Sequence, residues 1–129
     1  MKEREILYET EEAIRSRGYL TLKILNRVID TYGERFERAW EALRKGMVKK
    51  YRFVPGPGEV SFIVGNTKEY LLIPEAWYCS CRGTYSRRRN ESLCYHLLAY
   101  KLAEALGLVE LVEMNVQHYD TLINELKYG

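Results

Sequence analysis

Apolar positions recur with a helical period through the first third of the chain. Residues 34–45 place apolar side chains at i, i+3, i+4 and i+7, which is the spacing of one buried helix face. A similar pattern predicts amphipathic helices over 1–17 and 21–32. A glycine ends each of the three segments, as is common at helix C-termini: Gly18, Gly33 and Gly46.

The period changes to that of β-strands at residue 48. Residues 48–54, 59–64 and 69–73 each read as a strand, and in the second of them alternate apolar residues share one face. A Pro-Gly-Pro-Gly turn and a Gly-Asn pair separate these strands, so they form an antiparallel meander. A further strand is expected over 77–81.

The rest of the chain returns to helix. A polar, arginine-rich loop at 82–92 precedes a helix from about 92 to 106, which Gly107 ends. An apolar stretch at 108–112 and a short helix near 118–127 follow. The whole pattern predicts an α+β fold, with N-terminal helices, a three- to four-stranded antiparallel β-meander and a later helix.

Composition narrows the class of protein. The chain has 129 residues, of which 47% are hydrophobic and 29% charged, as expected for one globular domain. It contains no apolar run of membrane-spanning length, and its first residues lack the apolar core of a signal peptide. We therefore expect a cytoplasmic protein, with association with the nucleoid left open.

The three cysteines are clustered in a pattern typical of metal ligands. Cys79 and Cys81 are one residue apart, twelve residues follow, and then come Cys94 and His96. Three thiolates and one imidazole complete a tetrahedron and leave no position for water, which is typical of structural rather than catalytic zinc. The sequence therefore predicts one structural Zn²⁺ ion.

Local geometry is compatible with this spacing. On an extended chain Cys79 and Cys81 direct their side chains to the same face. The sulfurs of a zinc tetrahedron lie roughly 3.8 Å apart, so the strand must bend there. On a helix, residues i and i+2 do not share a face, so Cys94 and His96 must lie at the helix start. Ser92 is a candidate N-cap just before them.

Other roles for these residues compete with the metal site. The cysteines and the histidine can be ordinary core residues, although the regular spacing would then be accidental. A thiol enzyme would use Cys94 as nucleophile and His96 as base, but no third residue orients the histidine. A redox Cys-x-Cys pair would leave Cys94 and His96 without a role. We find no paired carboxylates, phosphate-binding glycine loop or Ser-His-Asp set, and expect no enzyme activity.

The residues around the ligands resemble those of a known family. Cys-x-Cys, a variable loop and Cys-x-His followed by a helix form the signature of the SWIM zinc finger, and residues 78–81 and 94–99 resemble its two halves. The segment 35–51 is similar to the lead-in of small archaeal SWIM proteins. The resemblance implies a ββα-type SWIM finger within 48–107, preceded by a helical segment at 1–47. The remaining residues, 108–129, would be an extension packing on the same unit.

The resemblance also implies a partner. Small archaeal SWIM proteins are similar to the SWIM subunits of Shu-type complexes, which bind RecA-like recombinase paralogues and assist strand exchange. No enzymatic domain accompanies the motif in this chain. The resemblance therefore implies a non-enzymatic accessory factor in DNA recombination or repair, acting with a RecA-like recombinase or paralogue.

Charge distribution suggests a second kind of partner. Residues 44–89 contain ten lysines and arginines but three acidic residues, although the whole chain carries a net charge of only +2. Such a segment can bind the phosphates of single-stranded or duplex DNA, and interleaved aromatic residues can stack on bases, although core packing is the more usual role of Tyr51 and Trp77. Candidate phosphate contacts are Arg82, Arg87, Arg88, Arg89, Lys49 and Lys50. The arginine run at 87–89 can instead bind an acidic protein partner or be solvated, and solvation is the more usual role of the two lysines.

The order of three helices and a hairpin permits an alternative. A winged-helix transcription regulator would use residues 34–45 as its recognition helix. The exposed positions of that segment mix acidic with basic residues, and acidic groups would repel phosphate. We therefore retain the winged helix as the second interpretation.

Overall fold

The computed structural model describes residues 2–54, 58–65, 68–81 and 93–115. Three helices precede a five-stranded sheet, and a fourth helix lies between the last two strands. The elements are α1 (Lys2–Arg17), α2 (Leu22–Tyr32), α3 (Glu34–Arg44), β1 (Val48–Val54), β2 (Glu59–Val64), β3 (Glu69–Ile73), a short 3₁₀ turn (Pro74–Ala76), β4 (Tyr78–Cys79), α4 (Tyr95–Leu106) and β5 (Glu110–Asn115).

The sheet confirms part of the predicted meander and corrects the rest. Strands β1 to β4 pair antiparallel with their neighbours, but β5 pairs parallel with β1, so the sheet is mixed and its order is β4-β3-β2-β1-β5. Helix α4 provides the long connection that takes the chain from one sheet edge to the other. A strand that arrives by such a crossover can run parallel to β1. The prediction of a purely antiparallel sheet is therefore wrong.

Apolar side chains divide between the two faces of the sheet. Val48, Ile63 and Leu72 belong to the main core, which also contains apolar residues of all four helices. The alternate residues Phe53, Phe62 and Leu71 form a smaller cluster on the opposite face. The predicted alternation of β2 is confirmed, because Val60 and Val64 pack against this second cluster.

The helices pack as their apolar periods predict. Helix α3 buries four residues and contacts α4 along its length, and α1 also contacts α4. Seven residues of α4 are buried, so this helix is at the centre of the main core. Its N-terminus therefore has a fixed position relative to the sheet. The buried residues of α3 are Phe36, Ala39, Ala42 and Leu43.

The segment between β3 and β4 contains a sharp turn. Trp77 has φ 53° and ψ 36°, a left-handed conformation that is uncommon for a residue with a side chain. Its ring lies 4.5 Å from the Arg4 guanidinium and 4.4 Å from the Lys101 ammonium, so cations of α1 and α4 contact it. The strand predicted over 77–81 is consequently shortened to Tyr78–Cys79.

Two further sequence predictions fall outside the described residues. They are the arginine-rich loop at 82–92 and the helix near 118–127.

Among the residues that the structure describes, no helix is long and apolar enough to cross a membrane.

Candidate metal centre

The four predicted ligands meet at one point of the fold. The Sγ atoms of Cys79, Cys81 and Cys94 and a ring nitrogen of His96 all lie within 4.8 Å of one another. Cys79, Cys94 and His96 are buried, whereas Cys81 is exposed. The structure therefore brings together all four residues that the spacing selected, at the junction of the sheet with α4.

The first cysteine pair lies on the predicted bend. Cys79 ends β4 opposite Leu72, and the chain turns at Ser80 and Cys81. Two hydrogen bonds between Ser80 and Leu71 stabilise this turn. The Ser80 N–H donates to the Leu71 carbonyl (2.9 Å), and the Ser80 hydroxyl accepts from the Leu71 N–H (3.1 Å). The turn allows two cysteines separated by one residue to direct their sulfurs to one place.

The second pair lies at the start of α4, as predicted. Cys94 is the N-cap, with φ −73° and ψ 160°, and its Sγ accepts from the Leu97 N–H at 3.5 Å. His96 follows in the first helical turn. Because Cys94 itself is extended, a separation of two residues suffices for both side chains to reach one site. Ser92 lies outside the described residues, and the capping role that we predicted for it belongs to Cys94.

Aromatic rings orient His96. Its ring contacts those of Tyr70 and Tyr95, with centroid distances of 4.2 and 4.1 Å. Its Nδ1 atom is 3.7 Å from Cys79 Sγ, close to the ligand separation in a tetrahedral site. Its Nε2 atom is buried and has no hydrogen-bond partner in the described part of the chain. The contact distance identifies Nδ1 as the atom that faces the thiols.

Contacts among the thiols shift the pKa values of Cys79 and Cys94 in opposite directions. The Cys81 and Cys94 side chains, together with burial, raise the pKa of Cys79 above the usual thiol range. Hydrogen bonds from Cys79 and Cys81 lower the pKa of Cys94. Hydrogen bonds with His96 and the Leu97 N–H lower it further. Three thiolates so close together require a cation to offset their repulsion.

The residue set fits zinc. Thiolate and imidazole are the ligands that Zn²⁺ prefers in closed tetrahedral sites, and four such ligand atoms lie within 4.8 Å of one another. The three cysteines are thiols rather than members of a disulfide among the described residues, and the thiol is the form from which a metal ligand is made. The arrangement is compatible with a zinc finger and can hold one metal ion.

Sequence reasoning missed the groups that support the ligands. Tyr70 stacks on His96 from β3, and no sequence spacing connects the two residues. The Glu3 carboxylate and the Arg35 guanidinium contact the backbone of Leu93, just before Cys94. These residues lie on elements far apart in the chain, so only the tertiary structure reveals their proximity.

Two of the candidate phosphate contacts lie within the described residues. Lys49 and Lys50 are neighbours on β1 and face opposite sides of the sheet. Lys49 pairs with Glu110 of β5, and the Lys50 ammonium lies 3.8 Å from a Glu59 carboxylate oxygen. The other candidates, Arg82, Arg87, Arg88 and Arg89, fall outside the described residues.

A comparison with known proteins finds a distant relative. A protein of Archaeoglobus fulgidus, described only as an uncharacterized protein, is 24% identical over 119 residues. The similarity covers 92% of this chain and 96% of the relative, so it extends over most of both chains. No family model matches the chain, and no solved structure matches it.

Proposed function

We propose that the protein is a non-enzymatic, zinc-binding protein of SWIM type that serves as a binding factor for protein or nucleic acid. The observation that carries the proposal is the meeting of three thiols and one imidazole within 4.8 Å. Cys79, Cys81, Cys94 and His96 would hold one Zn²⁺ ion. Bound there, zinc would supply folding free energy rather than reaction chemistry.

A structural role for the metal follows from the number of protein ligands. Catalytic zinc keeps a position for water or substrate, whereas four protein ligands fill the tetrahedron. Three of the four side chains are buried, which also restricts the access of substrate. The ion would connect the end of β4 to the start of α4, and so stabilise the junction between sheet and helix.

The resemblance to SWIM proteins supports the biological part of the proposal. Cys-x-Cys followed by Cys-x-His at a helix start is the SWIM signature, and residues 78–81 and 94–99 resemble its two halves. We propose an accessory role in DNA recombination or repair, with a RecA-like recombinase or paralogue as partner. The basic composition of residues 82–89 supports a contact with DNA phosphates or with an acidic protein surface.

The metal content of the folded protein tests the first part. We expect mass spectrometry under native conditions to find one zinc ion per chain, and under denaturing conditions none. Cys94→Ser should lose the ion and destabilise the β4–α4 junction. Ser92→Ala alters a neighbouring residue outside the ligand set and serves as the matched control. Wild-type protein that binds no zinc and keeps the β4–α4 junction intact without it would contradict the proposal.

Binding experiments test the partner. We expect a purified RecA-like recombinase from the same organism to co-elute with the protein, and the metal-free form to lose this interaction. Titration with single-stranded DNA at several salt concentrations tests the contact with nucleic acid. No binding at low salt would remove DNA from the proposal and leave the protein partner.

The winged-helix regulator makes a different prediction. It would bind duplex DNA of defined sequence more tightly than single strands, with α3 in the major groove. The apolar face of α3 packs in the main core, and Glu34, Glu37 and Arg38 are among its exposed residues. Acidic groups on that face disfavour contact with phosphate. A clear preference for one duplex sequence would nevertheless establish this alternative.

A further inference from the structure

Both backbone polar groups of Leu93 are bound by side chains of the N-terminal helices. The Leu93 N–H donates to Glu3 Oε1 at 2.9 Å, and its carbonyl accepts from Arg35 Nη1 at 2.7 Å. Glu3 belongs to α1 and Arg35 to α3, respectively 90 and 58 positions earlier in the chain. The residue that immediately precedes the ligand Cys94 is therefore held by elements outside the metal finger.

Glu3 and Arg35 also bind each other. Their side chains form two parallel contacts, Nη1 to Oε1 at 2.9 Å and Nη2 to Oε2 at 2.7 Å. The Tyr32 hydroxyl donates to the Glu3 carbonyl, which holds the start of α1 against the end of α2. Both charged side chains are largely shielded from solvent, with exposures of 20% and 29%. Such a two-point ion pair is directional as well as strong.

This contact determines how the chain enters Cys94. Arg35 holds the carbonyl of the Leu93–Cys94 peptide, and Glu3 holds the Leu93 N–H one peptide earlier. The peptide after Cys94 is held by α4, since the Leu98 N–H donates to the Cys94 carbonyl at 3.2 Å. With both sides held, Cys94 Sγ has little freedom to leave the cluster. A ligand whose position is set before the metal arrives loses less conformational entropy on binding.

We propose that Glu3 and Arg35 are positioning residues for metal binding, which act by holding the Leu93 backbone and hence the Cys94 sulfur. The inference rests on the proposed zinc site. It makes the N-terminal helices part of the metal-binding unit rather than a separate cover for the sheet. Removing such an outer contact typically weakens metal affinity by about 10- to 100-fold.

Metal affinity measured on folded protein tests the inference. The dissociation constants of Co²⁺ and Zn²⁺ are obtained by competition with a chromophoric chelator, after circular dichroism has shown each variant to be folded. We expect Arg35→Met to raise both dissociation constants by about 10- to 100-fold. Glu3→Gln, which keeps an acceptor for the Leu93 N–H, should have a smaller effect. If Arg35 contributed only to stability, its substitution would destabilise the metal-free and metal-loaded forms equally. Both dissociation constants would then be unchanged.

A charge swap separates this role from that of an ordinary ion pair. Glu3→Arg with Arg35→Glu restores opposite charges, but a guanidinium cannot accept from the Leu93 N–H and a carboxylate cannot donate to its carbonyl. We expect the swapped protein to bind metal as weakly as Arg35→Met. Recovery of wild-type affinity would overturn the inference.

A matched control breaks another ion pair between the N-terminal helices. Arg27 of α2 contacts Glu9 of α1 at 2.6 Å, and both side chains are about half exposed. Arg27→Met should change the dissociation constants by less than about twofold, since exposed pairs contribute little. If wild-type protein binds neither metal, the proposed function fails. If wild-type protein binds both and Arg35→Met binds them equally well, only the positioning role fails.

Discussion

His96 Nδ1 lies 3.7 Å from Cys79 Sγ, although the two residues are 17 positions apart in the chain. The contact joins the end of β4 to the first turn of α4. In the described part of the chain, main-chain hydrogen bonds do not pair these two elements, so the ligand cluster is their closest chemical connection. Release of the metal should therefore loosen β4 before it affects the rest of the sheet.

Fluorescence of Trp77 can report this loosening. Trp77 precedes Cys79 by two residues, and its ring is held by Arg4 and Lys101. We expect chelation of the metal to shift the Trp77 emission to longer wavelength, because the ring gains exposure when Cys79 is released. Trp40→Phe isolates the signal, since the chain has two tryptophans.

The reverse variant, Trp77→Phe, is the control. Trp40 stacks on Phe36 of α3 and lies near Leu106, at the end of α4 opposite to the metal ligands. Its emission should change little when a chelator is added. Equal shifts in the two variants would show that metal removal unfolds the whole chain rather than the junction at β4.

The ligands were predictable because metal binding constrains their spacing locally. Cys79 and Cys81 need a bent strand, and Cys94 and His96 need a helix start, and each requirement involves only a few neighbouring residues. The helices and the first strands follow from apolar periods in the same way. Each of these features is encoded within a short stretch of chain.

The missed features depend on residues far apart in sequence. Strand β5 joins β1 in parallel after the chain has crossed the sheet, and the apolar stretch at 108–112 carries no signal for that partner. The contact between Glu3, Arg35 and Leu93 spans 90 positions. A charged residue in an amphipathic helix has the same local pattern whether it faces solvent or binds a distant backbone.

Gly65 should be intolerant of a side chain. A Cβ atom at this position would lie 2.7 Å from the Lys68 carbonyl oxygen and 3.0 Å from the Tyr70 ring. The Lys68 carbonyl cannot move away easily, because it accepts from the Gly65 N–H at 2.8 Å. We expect Gly65→Ala to lower the free energy of unfolding by about 1–3 kcal/mol, as measured by urea denaturation.

Gly58 provides the matched control on the neighbouring hairpin. A Cβ atom there would meet Phe53 at 3.6 Å, which is an ordinary contact. Gly58→Ala should therefore be neutral or stabilise the protein by up to about 1 kcal/mol, because the unfolded chain loses freedom. A similar loss of stability in both variants would show that close contact is not the cause.

Glu11 should make stability depend on pH. Burial raises the pKa of this carboxyl, against the opposing effect of Lys101 and Arg15. Because the folded state holds the proton more tightly than the unfolded state, folding is penalised above the raised pKa. The penalty disappears as pH falls through the raised pKa towards the ordinary glutamate range. We expect Glu11→Gln to be more stable than wild type at pH 7, with the difference shrinking on acidification.

Thermal unfolding at several pH values measures this difference. Using the difference between variant and wild type removes the contribution of the metal ligands, which both proteins share. Ser16→Ala changes an exposed, uncharged side chain of the same helix and is the matched control. It should leave the pH dependence unchanged. A constant difference between Glu11→Gln and wild type from pH 7 down to the ordinary glutamate pKa would contradict the expectation.

Lys49 and Lys50 should contribute less to DNA binding than the arginines of the arginine-rich loop at 82–92. Carboxylates of Glu110 and Glu59 already offset the two lysine charges. Their side chains also face opposite sides of the sheet, so one DNA strand cannot readily contact both. For single-stranded DNA, the slope of log affinity against log salt falls by about 0.7 for every phosphate that the protein no longer neutralises.

The salt dependence of binding distinguishes the two groups of residues. If the protein binds single-stranded DNA, we expect replacement of Arg87, Arg88 and Arg89 by alanine to lower the slope by up to about 2. Replacement of Lys49 and Lys50 by alanine should lower it by less than about 0.7. Fluorescence anisotropy with a labelled oligonucleotide at several salt concentrations measures both. A larger decrease for the lysine variant would place the DNA contact on β1 rather than in the loop. The two lysines would then have exchanged their carboxylate partners for phosphates of the DNA.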